Sequence, residues 1–319
     1  MIKMKRLFRI LLVIFSLVVI TIGGTSVYML RYSLQVKTHG HASRWKRMYA
    51  DYPQLRPWMD SIKSNAALKD TVILLSNGLK SHAFYLRNDS AMGRSAICIH
   101  GYKDNALGML QIAYIYNKVM RMNVLLPDLH AHGTSEGKDV QMGWKDRLDV
   151  EEWIPLAEKM FRESGRESKM VIHGISMGAA TTMNISGDTT PDYVKCFIED
   201  CGYTSVWDEF SDQLKAQFGL PDFPLMYTSS ALCRIKYGWT FGEAAPLGQV
   251  AKCHKPMLFI HGDADDFVPS WMVHPLFKAK PQPKELWITK GTKHAESYKD
   301  YPEEYTRKVA AFANRYFRK

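Results

Sequence analysis

The chain has 319 residues, 46% of them hydrophobic and 23% charged, and a formal net charge of +10. That is long enough to bury a sizeable core, and the composition excludes a disordered or low-complexity chain. The excess charge does not point to nucleic acid: residues 1–50 hold nine Lys and Arg and no Asp or Glu, leaving 33 basic against 32 acidic residues beyond them.

Residues 1–9 form a basic head with Lys3, Lys5, Arg6 and Arg9. Residues 10–30 then run without a charge. A helix of that length rises about 31 Å, close to the hydrocarbon thickness of a bilayer. The reading is a single-pass transmembrane signal anchor, with a cleaved signal peptide as the competitor. The run exceeds an ordinary signal-peptide core, and Gly23-Gly24-Thr25-Ser26-Val27 makes only a weak cleavage site. Four basic residues precede the span and five follow it, so the positive-inside rule sets no orientation. A short head before a large C-terminal part is a signal-anchor layout with the head inside, which predicts an extracytoplasmic catalytic domain. Residues 31–69 are read as a juxtamembrane linker and lead-in helix. Its Arg31, Lys37, Arg44, Lys46 and Arg47 either rest on anionic headgroups or belong to a solvated linker.

From residue 70 onward, strands are predicted near 71–76, 82–87, 95–100, 122–127, 169–175, 194–199, 256–261 and 285–289. Helices are expected at about 105–120, 142–163, 177–186, 270–279 and 302–317, the last carrying Tyr305, Val309, Phe312 and Phe317 near helical spacing. This alternation predicts one α/β domain over 70–319, a doubly wound sheet that opens with an antiparallel hairpin. An insertion at about 202–255 separates the sixth and seventh strands. Phe210, Leu214, Phe218, Leu220, Phe223, Leu225, Met226 and Tyr227 make it apolar, and Pro221 and Pro224 break it into short helices. Such a stripe fits a helix packed on its own domain, or a cover for an apolar substrate. Cys98 and Cys196 fall on buried strands, and Cys201, Cys233 and Cys253 lack metal spacing, so the five cysteines imply no disulfide framework.

The chemistry concentrates at the ends of strands. Gly174-Ile175-Ser176-Met177-Gly178 ends an apolar run with a serine between two glycines, the G-x-S-x-G nucleophile elbow. The alternative is an ordinary turn. A serine hydroxyl needs a base in reach and an acid that orients the base. Asp265, in the loop after the seventh strand, is the candidate acid; Asp263 and Asp266 beside it read as turn formers. Asp200, ending the sixth strand, is its rival. His294, in the loop after the eighth strand, is the candidate base, and the order Ser176, Asp265, His294 follows the chain. The oxyanion is expected on two backbone N–H groups, those of Met177 at the start of a helix and of Tyr102 in the loop after the third strand. Asp128, His130 and His132 lie close together but offer no second ligand cluster for a metal; His132 is read as a buttress of its turn. Neither metal nor cofactor is required.

These residues together resemble the α/β-hydrolase fold family, and within it single-domain bacterial serine hydrolases with an N-terminal membrane anchor. The resemblance covers roughly residues 70–318 and rests on four motifs: His100-Gly101-Tyr102, the stretch from Asp128 through Gly133 to Gly137, the Ser176 elbow, and the loop from His261-Gly262 to Pro269. His130 and Ala131 stand where that family usually has Arg and Gly. The resemblance implies a mostly parallel sheet flanked by helices, with a helical lid after the sixth strand. It also implies hydrolysis of a carboxylic ester or related acyl bond through an acyl-enzyme. The same triad would serve a serine peptidase or an acyltransferase, and a non-catalytic binding protein of the same fold is the other class. Dehalogenase chemistry would want a carboxylate where Ser176 stands. The expected partners are a small ester or acyl substrate and, through residues 10–30, a lipid bilayer, with no nucleic acid.

Overall fold

A computed structural model describes residues 2–35 and 40–318, with side chains from Met4 onward. Lys37 of the predicted basic linker lies outside the described residues. The chain divides into two compact units.

The larger unit comprises the described residues of Lys37–Thr204 and Ala245–Lys319. Its eight strands are β1 (Lys69–Leu74), β2 (Lys80–Leu86), β3 (Arg94–Ile99), β4 (Asn123–Pro127), β5 (Lys169–Ile175), β6 (Val194–Asp200), β7 (Met257–Gly262) and β8 (Lys284–Thr289). They form one sheet in the order β1-β2-β4-β3-β5-β6-β7-β8. The β1/β2 hairpin and the β2/β4 pair are antiparallel, and every other neighbour is parallel. Strands β4, β5, β6 and β7 are buried on both faces, as crossover helices require, so they read in the sequence as continuous apolar runs. Edge strand β1 alternates between exposed and half-buried side chains.

Helix α1 (Ile2–Leu34) belongs to the other unit. In the larger one, α2 (His41–Asp51) and α3 (Arg56–Ser64) precede the sheet. Met48, Tyr52, Trp58 and Met59 pack with Cys98, Val124 and Ile198 into one face of the core. The single helix expected over 105–120 is a 3₁₀ turn (Ala106–Met109), then α4 (Leu110–Tyr114), then a π turn (Ile115–Val119). The π turn places the Tyr116 hydroxyl 3.0 Å from His173 Nδ1 inside the core. The helix expected over 142–163 is α5 (Asp146–Phe161); it starts late because Asp146 turns its carboxylate back to accept the Gly143 N–H at 2.7 Å. Helix α6 (Met177–Ser186) follows β5 directly.

The smaller unit comprises the described residues of Met1–Val36 and Ser205–Ala244. Within it α7 (Val206–Phe218) and α8 (Leu225–Tyr237) bracket a break that holds Pro221 and Pro224, as the prolines predict. Ser205 caps α7 by accepting the Asp208 N–H at 3.0 Å. Leu214 and Met226 are buried, whereas Phe218, Phe223 and Tyr227 are exposed, so only part of the predicted apolar stripe is packed. The larger unit is completed by α9 (Pro246–Val250), α10 (Val273–Ala279), α11 (Ser297–Asp300) and α12 (Pro302–Phe317), whose Tyr305, Val309 and Phe312 enter the core. This is α/β-hydrolase topology, with its helical insertion after β6.

The junction of β5 and α6 is tightly packed. A Cβ on Gly178 would stand 2.0 Å from the Ile99 carbonyl oxygen of β3. Gly178→Ala should therefore lower stability by about 3 kcal/mol or leave the chain insoluble. Denaturant unfolding checks this, and a midpoint equal to that of the wild type would contradict the packing described.

Candidate active site

The apolar run of β5 delivers Ser176 to the sheet's C-terminal edge with φ 58° and ψ −120°. A non-glycine residue holds that conformation only where its surroundings fix it. Here they do so from both sides: the Ser176 N–H donates to the Asp200 carbonyl at 2.8 Å, and the Ala180 N–H donates to the Ser176 carbonyl at 3.0 Å. The elbow glycines are close-approach positions, since a Cβ on Gly174 would meet the Gly178 carbonyl oxygen at 1.9 Å. The side chain is thereby pushed off the sheet.

His294 comes from the loop after β8 and Asp265 from the loop after β7. His294 Nε2 lies 2.8 Å from Ser176 Oγ, and His294 Nδ1 lies 2.7 Å from Asp265 Oδ2. The three form a Ser-His-Asp triad. Asp265 is buried, and its other oxygen accepts the Phe267 and Val268 N–H groups at 3.0 and 2.9 Å. Burial alone would raise its pKa, but hydrogen bonding to His261 and His294 outweighs this and lowers it to about 2. The carboxylate is therefore ionised throughout the neutral range.

Asp200, the rival acid, does not meet His294 in a hydrogen bond among those described. It accepts from the Tyr305 hydroxyl at 3.0 Å and from Ser297 Oγ at 3.2 Å. Burial pushes its pKa up to about 6 in spite of these donors. Tyr305 continues inward to His173 and Tyr116. Asp263 accepts the Gly291 N–H at 2.5 Å and so joins two loops, which fits a turn former.

Met177 is the first residue of α6, so its N–H lacks an intrahelical acceptor. The loop after β3 passes against the elbow, where a Cβ on Gly101 would stand 3.2 Å from that of Ser176. Tyr102, Gly101, Ser176 and His294 line one cleft of about 370 Å³. Two buried histidines hold that loop in place. His132 Nε2 accepts the Lys103 N–H at 3.3 Å while its Nδ1 donates to the His130 carbonyl. His100 Nε2 accepts the Leu129 N–H at 3.0 Å while its Nδ1 donates to the Gly101 carbonyl. Burial lowers the pKa of both, that of His132 to about 3, so both stay neutral and keep their acceptor nitrogens. Asp128 fastens the neighbouring turns. Its carboxylate accepts from Ala106 N–H, Thr134 N–H, His41 and His82. The cluster of His41, His82 and Asp128 has ligand-type atoms, but its histidines already engage the Asp128 carboxylate.

One wall of the cleft falls where sequence reasoning placed a linker. Arg44, Arg47, Asp51 and Tyr52 from α2 line it. Arg44 forms an ion pair with Asp104, so it belongs neither to a headgroup contact nor to a solvated tether. Arg47 pairs with Asp51 at 3.1 Å. The available signal was the spacing of Trp45, Met48, Tyr49 and Tyr52, which marks one packed face of a short helix.

Residues 138–319 match the prolyl oligopeptidase family, a stretch that contains the elbow and the whole triad. The chain belongs to that family. YqkD of Bacillus subtilis (strain 168) is 30% identical over 216 residues, which are 68% of this chain and 70% of that protein. Among solved structures, the Pyrococcus furiosus esterase Pf2001 superposes with a TM-score of 0.64 at 22% identity, covering 80% of this chain and 95% of that one. A Mycobacterium tuberculosis puromycin-hydrolyzing peptidase does so with a TM-score of 0.58 at 17% identity, covering 78% of this chain and 39% of that one. At these identities the two structures speak for the fold, while the family match and the triad identify a serine hydrolase.

Behind the triad, Glu199 of β6 is wholly buried, one of its oxygens accepting the Gly202 N–H at 3.0 Å. Burial lifts its pKa to about 8. The folded-state value thus exceeds the unfolded one, so the stability carried by the neutral form is complete below the unfolded value and is lost as pH rises through about 8. Glu199→Gln, which cannot ionise, should lose less melting temperature between pH 6 and pH 9 than the wild type, by a few degrees. Equal losses in the two proteins would show that folded Glu199 is already ionised at pH 6 and that burial does not hold it neutral.

Proposed function

We propose that the protein hydrolyses a carboxylic ester or related acyl bond with Ser176 as nucleophile, His294 as general base and then acid, and Asp265 as the group that orients the imidazole. The observation that carries this reading is the pair of hydrogen bonds on His294, 2.8 Å to Ser176 Oγ and 2.7 Å to Asp265 Oδ2. His294 takes the Ser176 proton as Oγ attacks the acyl carbon, and Asp265 stabilises the imidazolium. The oxyanion forms against the Met177 N–H at the positive end of α6 and the Tyr102 N–H of the neighbouring loop. His294 then protonates the leaving group, and water, activated by the same histidine, releases the acid. Arg44, Lys103, Asp104 and Glu296 make much of the cleft's border charged, which favours substrates with a polar group near the scissile bond.

A peptidase is the second reading. The prolyl oligopeptidase match favours it.

Residues 10–30 are proposed as a single-pass anchor of the kind seen in the bacterial hydrolases the sequence resembles. Met4–Leu34 is long and apolar enough to cross a membrane. Side chains 10–20 are exposed along the helix, and the Ser16, Thr21 and Ser26 hydroxyls donate to carbonyls one turn back at 2.8, 2.9 and 2.8 Å. Hydroxyls satisfied within their own helix suit a hydrocarbon surrounding. The signal-anchor layout puts the catalytic unit outside the cytoplasm.

Two measurements test these readings. A fluorophosphonate should label the purified full chain but not Ser176→Ala, and Asp265→Asn should lower ester turnover by roughly 10⁴-fold. A p-nitrophenyl ester panel beside aminoacyl p-nitroanilides separates esterase from peptidase; unchanged turnover in Ser176→Ala would defeat both. Alkaline phosphatase fused after residue 319 should be active in intact bacterial cells, and activity from a cytoplasmic reporter at that position instead would reverse the orientation.

A further inference from the structure

The smaller unit carries an apolar line that its own packing leaves uncovered. On α8, Tyr227, Ala231 and Ile235 recur at every fourth residue on the outward side, and Phe223, just before the helix, meets Tyr227 edge-on with ring centroids 6.0 Å apart. Phe223 is 74% exposed, Tyr227 58% and Ile235 82%. Met226, Ser229, Ser230 and Cys233 occupy the buried side. Exposed Arg234 and Lys236 border the line at its C-terminal end.

The surroundings of that line follow from what α8 packs against. Helix α8 lies along the C-terminal part of α1, where Ser26 is fully buried and its hydroxyl shares a 2.6 Å hydrogen bond with Thr228. Further along α1, the Tyr32 hydroxyl donates to Gln217 Oε1 at 3.0 Å, and its ring meets Phe218 edge-on at 5.7 Å. The uncharged run of α1 ends at Leu30, before Arg31. At about 1.5 Å per residue, Ser26 sits roughly 6 Å on the apolar side of that end. A run of about 31 Å leaves little freedom to slide in a layer of about 30 Å. Thr228, and with it Tyr227, is therefore carried to the boundary between headgroups and acyl chains.

We propose that α8 is seated in the membrane interface with Phe223 and Tyr227 in lipid. The inference rests on the anchor reading of residues 10–30. Lipid is the occupant because the surface is continuous with the flank of a membrane-spanning helix at a depth where lipid is the surrounding medium. Aromatic and aliphatic side chains with Arg and Lys at the polar border are also the composition of an interfacial helix. The insertion that the fold places after β6 is then a membrane-contacting element in its own right.

The test is site-directed spin labelling of the full chain in vesicles of phosphatidylcholine and phosphatidylglycerol. The native cysteines are buried, so a nitroxide reagent reads introduced thiols. Labels go at Phe223→Cys, Tyr227→Cys, Phe15→Cys within the proposed span, and Asp89→Cys on an exposed turn of the larger unit. Collision rates with oxygen, which partitions into lipid, are compared with those of a water-soluble nickel chelate. The expected result is oxygen-dominated relaxation at 223, 227 and 15, and nickel-dominated relaxation at 89. If 223 and 227 behave like 89 while 15 remains oxygen-dominated, the interfacial seat is overturned and the anchor stands. If 15 also behaves like 89, the anchor reading fails and takes this inference with it. Dipolar broadening between labels at 227, removed by diluting with unlabelled chain, would assign the surface to a second copy and likewise overturn the lipid seat.

Discussion

The site depends on how closely α6 lies against β5 and β3. Two backbone approaches, Gly178 against the Ile99 carbonyl and Gly174 against the Gly178 carbonyl, leave no space for a β-carbon at either position. With the helix pressed that close, the connecting residue has no room to reach it through an ordinary turn, and Ser176 takes a positive φ. A strained residue with its amide and carbonyl both engaged can point its side chain in few directions. The direction left is away from the sheet, toward the loops that follow β7 and β8. Because β5, β6, β7 and β8 are parallel neighbours, those loops emerge on the same edge, and acid and base arrive there without further machinery.

Asp200 ends β6 and Asp265 lies in the loop after the adjacent β7, and their partners decide what each can do. Asp265 meets the imidazoles of His261 and His294, which favour its charged form strongly enough to overcome burial. Asp200 is offered two hydroxyls, which do not overcome burial, and its pKa rises instead. A partly protonated acid is a poor partner for a forming imidazolium. The rivalry between them is thus settled by electrostatics as well as by distance. Neutral histidines do the complementary work on the other side of the elbow. His100 and His132 each accept a backbone N–H from a neighbouring loop, a task that an imidazolium, a donor at both nitrogens, could not perform.

What was legible in the sequence was what local chemistry dictates. The inner strands could be read because buried parallel strands must be continuous apolar runs, and the elbow because its glycines answer a steric demand that few residues meet. The chain order of Ser176, Asp265 and His294 carried over because each follows its own strand. The wall built by α2 was not legible in the same way. Arg44 finds Asp104 across 60 residues of chain, and nothing in the periodicity of either segment announces the pair. Nor could the sequence show that the helix after β3 would pass through three pitches, since the π turn answers to His173 on a distant strand. Arg44, counted among the linker charges, sits in the cleft wall instead, because a charge tally carries no topology.

The smaller unit poses the opposite problem, with too little of its apolar surface packed. Ten large side chains between residues 10 and 20 stand about half or more exposed on α1. At roughly 1.5 to 3 kcal/mol for each such side chain moved wholly from water into an apolar medium, leaving the exposed half of these surfaces in water would forgo about 8 to 15 kcal/mol. A whole domain is stable by only about 5 to 15 kcal/mol. The packing described for the protein covers the other end of the helix, where Ser26, Leu30 and Leu34 are buried, and leaves this stretch to its surroundings. The magnitudes therefore favour an apolar medium for α1, in keeping with the proposed anchor. Once α1 is granted that medium, α8 cannot stay clear of it, because the hydrogen bond between Ser26 and Thr228 joins the two helices at a fixed height.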